Sequence, residues 1–159
     1  MKLAKDTSSH RLERSPLHLL HRASQCADEV FETELRGDDL TPRQYAVLLT
    51  VALNEGLSQT QLVDLTGIDR STLADVVRRM LKKGLLQRRR TRDDARAYAV
   101  KLTVEGGKIL KARDPLARRV DDHILASLPA QQRDRFIQDL NVIVEELALL
   151  KKTKLAPKN

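Results

Sequence analysis

Six polar residues, Arg70, Ser71, Thr72, Asp75, Arg78 and Arg79, fall within ten positions of this chain. If Leu73, Val76, Val77 and Met80 between them face a core, a helical repeat places all six on the exposed side. Hydroxyls and a carboxylate exchange hydrogen bonds with polar edges, and guanidinium groups bond paired acceptors or clamp phosphates. That is chemistry for holding a polyanion. Ser58, Gln59 and Thr60 start a shorter helix upstream, where free backbone N–H groups and hydroxyls favour a phosphate oxygen, although the same residues also suit ordinary capping. Downstream, Arg88, Arg90, Arg92, Asp94 and Arg96 continue the basic run, with an arginine at the most exposed point of a turn and carboxylates nearby to orient it.

The charge is confined in the same way. Residues 78–96 hold nine Lys or Arg against Asp93 and Asp94, so the net charge of +7 resides there and the rest of the chain is balanced. A basic segment so compact points to a nucleic-acid partner, or to a solvated charge run if nothing else accompanies it. There is no Gly-rich phosphate loop, no H-x-x-x-H or C-x-x-C spacing and no Ser, His and Asp set in a known motif. The expectation is therefore a protein that is not an enzyme and uses no metal or cofactor. The lone Cys26 can form neither an internal disulfide nor, by itself, a zinc site. No run of 18 apolar residues and no signal peptide is visible, which places the chain in the cytoplasm.

These residues need elements to position them, and helix boundaries are well marked. At 159 residues, 41% hydrophobic and 3% aromatic, the chain suits a mainly helical fold packed through Leu, Val and Ala. Ser15-Pro16 opens a helix that carries Leu17, Leu20, Ser24, Ala27, Phe31 and Leu35 and stops at Gly37. Thr41-Pro42-Arg43-Gln44 and Ser58-Gln59-Thr60-Gln61 have capping-box spacing, Gly67 stops the third helix, and Asp69 caps the fourth. After Gly84 the period becomes alternating. Leu85 to Arg90 and Ala97 to Leu102 read as strands, the second with Tyr98, Val100 and Leu102 on one side, joined by a tip at Thr91 to Arg96. Thr103 caps a long helix that Pro115 should kink or split, and Pro129 opens the last one. The order of two short helices and a hairpin is a winged helix-turn-helix. Residues 1–14 read as a disordered arm, 15–37 and 104–152 as a helical dimerisation region, and 41–103 as the winged-helix lobe, all in one compact domain.

The run Asp94-Ala95-Arg96, then Val100-Lys101-Leu102-Thr103 and Gly106, resembles the wing signature D-x-R-x-x-x-V-x-L-T-x-x-G of the MarR family, the multiple-antibiotic-resistance-type regulators. Leu40-Thr41-Pro42 with Gln44-Tyr45, Thr66-Gly67-Ile68, Ser71-Thr72-Leu73 with Arg79, and Gly84-Leu85-Leu86 extend the resemblance over nearly the whole chain. It implies an obligate homodimer tied by its first and last helices, which binds a pseudopalindromic double-stranded DNA operator, usually as a repressor. It makes Arg96 a minor-groove arginine and Asp94 its orienting carboxylate. Independently, the first helix and the last two carry apolar stripes that a domain this small has no obvious core to absorb.

The resemblance also implies a small-molecule pocket between the first, second and long fifth helices. On the first helix His18, Arg22, Gln25 and Glu29 follow one line, which suits an anionic ligand with Tyr45 as an aromatic wall, or else a solvated helix face. The block Ser15 to Arg22 is similar to regulators of aromatic-acid breakdown, so the expected effector is an aromatic acid or its coenzyme A thioester. Arg22, Arg36 and Arg43 are the candidates for a thioester's phosphates. Two other readings stand beside this one: a redox switch at Cys26, and a nonspecific architectural DNA-binding protein.

Overall fold

A computed structural model of the chain describes residues 11–35, 40–54, 56–90 and 98–155. The elements are α1 (Pro16–Glu34), α2 (Pro42–Leu53), α3 (Gln59–Thr66), α4 (Arg70–Lys82), β1 (Leu86–Arg90), β2 (Tyr98–Leu102), α5 (Val104–Ala126) and α6 (Ala130–Leu155). The expected mainly helical architecture with one antiparallel hairpin is the one observed. Two compact units divide at Val120, so α1 to β2 and most of α5 belong to the first and α6 to the second.

Short-range hydrogen bonds set the helix starts. The Ser15 hydroxyl accepts from the His18 N–H, with Pro16 as the first helical residue. Thr41 and Gln44 exchange side-chain and backbone bonds at 3.3 and 3.1 Å, and Ser58 and Gln61 do the same at 3.2 and 2.8 Å, so both capping boxes form. Gly67 ends α3 at φ 68°, in the left-handed region that glycine enters without a Cβ penalty. Two expectations are corrected. Residues 11–13 are helical, where a disordered arm was expected, because the Ser15 N–H closes a turn on the Leu12 carbonyl; residues 1–10 lie outside the described chain. Pro115 does not split the long helix, because buried Leu110 before it and Ala117 and Val120 after it hold both halves of α5 against the core.

The core of the first unit gathers Phe31 of α1 and Leu35 just after it, Val47, Leu48 and Val51 of α2, Leu62 of α3, the inner side of α4, and Leu86 and Val100 of the hairpin. β1 and β2 pair from Leu86 opposite Leu102 to Arg90 opposite Tyr98. A second edge contact was not foreseen: the Val100 N–H donates to the Leu57 carbonyl at 2.8 Å, so β2 is bonded on both sides. The expected alternation along β2 fails for a related reason. Ala99 is buried because Gly56 lies over it, and Tyr98, paired with the last described residue of β1, is exposed.

A clasp joins α4, the hairpin and α5. The Leu85 N–H donates to Met80, Gly84 takes φ 70°, and the Thr103 hydroxyl donates to the Gly84 carbonyl at 2.6 Å while accepting from the Gly106 N–H at 3.0 Å. A Cβ at Gly106 would stand 2.0 Å from the Leu85 carbonyl oxygen. Only a residue with no side chain fits there.

Candidate nucleic-acid interface

Helix α4 is divided along its length. Leu73, Val76, Val77 and Met80 are buried, whereas Arg70, Ser71, Arg78 and Arg79 are exposed and Thr72 and Asp75 half-buried. The three-residue link Gly67 to Asp69 turns α3 into α4. Asp69 caps α4 by accepting from the Thr72 N–H at 2.9 Å and from the Ser71 hydroxyl at 2.7 Å. The bonds from Thr72, and after them those from Ser71, hold the Asp69 carboxyl far below the usual carboxylate range. They also fix a polarity. With its proton committed to Asp69, the Ser71 oxygen faces outward as an acceptor.

Asp75 stands on the outer ridge of α4 and bonds both arginines that follow it. One carboxylate oxygen accepts from Arg78, and the other accepts from Nε of Arg79 at 2.8 Å. The Arg78 bond, with the charge of Arg79 beside it, lowers the Asp75 pKa, so the group is an anion at neutral pH. Arg78 and Arg79 keep 77% and 67% of their side-chain surface exposed while paired. Ion pairs that open to water leave such groups available to a stronger partner.

Two grooves flank this ridge. One, of about 550 Å³, is lined by Gln59 of α3, Ala74, Asp75, Arg78 and Leu81 of α4, and Arg88 of β1. It brings together four of the residues expected to touch a polyanion. At the start of α3 the capping box engages the Ser58 and Gln61 amides, which leaves those of Gln59 and Thr60 as the helix-terminal donors. The second groove, of about 510 Å³, is lined by Ser24, Asp28 and Glu32 of α1, Thr41 to Gln44 at the start of α2, and Thr72, Asp75, Val76 and Arg79 of α4. On β1, Arg88 and Arg90 are exposed; so is Arg89, which the sequence reading passed over because it alternates with them. Arg92, Asp94 and Arg96 lie outside the described residues.

Among the described residues, the expected ligand side chains fall in different surroundings. Arg43 lines the second groove, His18 is half-buried, and Arg22 and Gln25 are exposed along α1. Arg36 lies outside the described residues. Tyr45 is turned inward: its ring lies 5.9 Å from that of Phe31, and its hydroxyl donates to Asp114 at 2.8 Å. Arg118 bonds the other Asp114 oxygen at 2.7 Å, and the bonds from Tyr45 and Arg118 lower the Asp114 pKa. This tie between α2 and α5 spans 69 residues and was not foreseen. Cys26 is exposed. Among the described residues, no helix is long and apolar enough to cross a membrane.

Comparison with known proteins gives the same picture. Residues 38–97 match the MarR family. The chain is 35% identical over 127 residues to the transcriptional regulator HosA of Escherichia coli O157:H7, covering 80% of this chain and 93% of that protein. Among solved structures, the PcaV transcriptional regulator of Streptomyces coelicolor in complex with its natural ligand is similar with a TM-score of 0.79 and 30% identity, over 84% of this chain and 94% of that one. The transcriptional repressor CouR bound to a 23-mer DNA duplex is similar with a TM-score of 0.76 and 29% identity, over the same shares.

Proposed function

The chain belongs to the MarR family of transcriptional regulators, and from that premise we propose that it is a repressor, homodimeric and cytoplasmic, which a small anionic aromatic ligand releases from a pseudopalindromic operator. The observation that carries the reading is α4. Six polar side chains stand on the outer side of a helix whose inner side is buried, between two grooves that also take in the start of α3 and the strand β1. Such a helix presents base-reading groups to a major groove. Ser58, Gln59, Thr60, Arg88 and Arg90 then supply the phosphate contacts that fix its register. Arg92 and Arg96, which lie between β1 and β2 in the sequence, are the arginines that this reading assigns to the narrow minor groove, with Asp94 as the orienting carboxylate. The similarity to a repressor solved on a DNA duplex supports this partner.

The effector reading draws support from the similarity to a regulator solved with its natural ligand. Arg22 and Arg43 offer the cations that a carboxylate or a thioester's phosphates require, and Tyr45, half-buried against Phe31, is the aromatic wall of this reading. The Tyr45–Asp114 bond holds α2 to α5, and α5 starts at the clasp that ends α4. A ligand that competes for either group therefore alters the support of the DNA-reading helix. A coupling of about 1 to 3 kcal/mol would weaken operator binding about 5- to 150-fold.

The test is a fluorescence-anisotropy titration on the duplex upstream of the protein's own gene, against a scrambled duplex at equal salt. The expected preference is about a thousandfold or more. Aromatic acids and their coenzyme A thioesters are then screened in the same assay for release. Equal affinity for both duplexes would replace the repressor with an architectural protein.

A further inference from the structure

We propose that Asp75 is the residue that sets the sequence preference of α4: it accepts a hydrogen bond from a cytosine amino group while holding Arg78 and Arg79 on opposite flanks, and so disfavours every site lacking that cytosine. The inference rests on the DNA-binding reading above and deepens it. Asp75 is the one residue that lines both grooves beside α4, with Arg78 in the first and Arg79 in the second. Its carboxylate bonds both guanidinium groups, one per oxygen. Each arginine is thereby directed to its own side of the ridge before any DNA arrives.

An anion at the centre of a DNA-facing helix carries a cost beyond the ordinary helix ion pairs it makes. Duplex DNA carries about one negative charge per 1.7 Å of axis, so Asp75 opposes nonspecific approach and cancels part of the attraction its arginines provide. A carboxylate has about four acceptor sites, and the two arginine bonds leave capacity for a further donor, with 38% of the Asp75 side-chain surface exposed. In the major groove the matching donor is the cytosine N4 amino group, and the neighbouring guanidinium finds paired acceptors on guanine O6 and N7. At a site without the amino group, the carboxylate is pressed against acceptors and left unpaired, which is discrimination by repulsion.

The experiment is selection of full-length wild-type, Asp75→Ala and Asp75→Asn protein on a pool of randomised duplexes, followed by titration of each on the wild-type winner and on a scrambled duplex. Circular dichroism and thermal melts establish that the variants are folded. Wild type should return a motif with one cytosine fixed per half-site. Asp75→Ala should lose preference at that position alone, binding the scrambled duplex several-fold tighter and the winner about tenfold less selectively. Asp75→Asn should move the preferred base there to adenine, since an amide pairs with adenine N6 and N7. Motifs unchanged at every position, or an equal loss on all duplexes, would overturn the role of Asp75 while leaving the DNA-binding reading intact. A wild-type protein that selects no motif would overturn both.

Discussion

Hydrogen-bond commitments in the free protein already sort the side chains of α4 by role. Ser71 donates its hydroxyl hydrogen bond to Asp69, which leaves its oxygen as an acceptor, whereas Arg79 is held through Nε by Asp75. On the proposed reading, groups fixed in this way discriminate between bases, whereas a wing arginine contributes mainly through phosphates and groove potential. Ser71→Ala and Arg79→Ala should therefore weaken binding to the operator more than to scrambled DNA. Arg96→Ala should weaken both, and should reduce the slope of log affinity against log salt by about one. Titrations of the three variants at several salt concentrations check the division. An Arg96→Ala protein with unchanged affinity would remove the wing tip from the interface.

At the scale of elements, the clasp between α4 and α5 gives neighbouring glycines opposite sensitivities. Gly106→Ala drives a Cβ into the Leu85 carbonyl, a backbone atom that cannot step aside, and should destabilise by about 1 to 3 kcal/mol. At Gly107 nothing lies within 4 Å of an added Cβ, so Gly107→Ala should stabilise α5 by roughly 0.5 to 1 kcal/mol through helix propensity alone. Thermal or urea denaturation of the two variants reads both signs. What the sequence made legible divides along the same line. Caps at Ser15, Thr41, Ser58 and Asp69 depend on partners three residues away, and the six polar positions of α4 on a single helical period, so local pattern sufficed for them. The Leu57–Val100 bridge and the Tyr45–Asp114 bond join residues far apart in the chain. No local rule marks them, and the second is what holds Tyr45 inward. The candidate effector residues on α1 rest on helical period alone, whereas a pocket is a matter of packing between elements.

For the molecule as a whole, the exposed apolar surface is the strongest constraint. No described residue of the 26-residue α6 is buried, and Ile137, Val142, Ile143, Val144, Leu147, Leu149 and Leu150 are all exposed in the single chain. On α1 the same holds for Leu17, Leu19 and Leu20. A helix that leaves so much apolar surface in water gains little stability from its own packing, and burial of such side chains contributes about 25 cal/mol per Å². A second copy is the covering that the operator reading requires, because a two-fold dimer sets its two DNA-reading helices about 34 Å apart, one turn of the duplex. Wild-type protein should sediment at twice the chain mass. Val144→Arg combined with Leu147→Arg should sediment as single chains and lose operator affinity by at least an order of magnitude. A double variant that remains dimeric would move the interface elsewhere.

The Thr103 clasp also makes α4 a lever. One hydroxyl ties Gly84, in the turn after α4, to the start of α5, which makes that turn the natural pivot for any tilt of α4. Arg70 lies about 18 Å from the pivot along the axis of α4. A tilt of only about 10° at the clasp sweeps that end through about 3 Å, which is the length of a hydrogen bond. Small angular changes near Thr103 are thus magnified at the N-terminal end of α4, where Arg70, Ser71 and Thr72 stand.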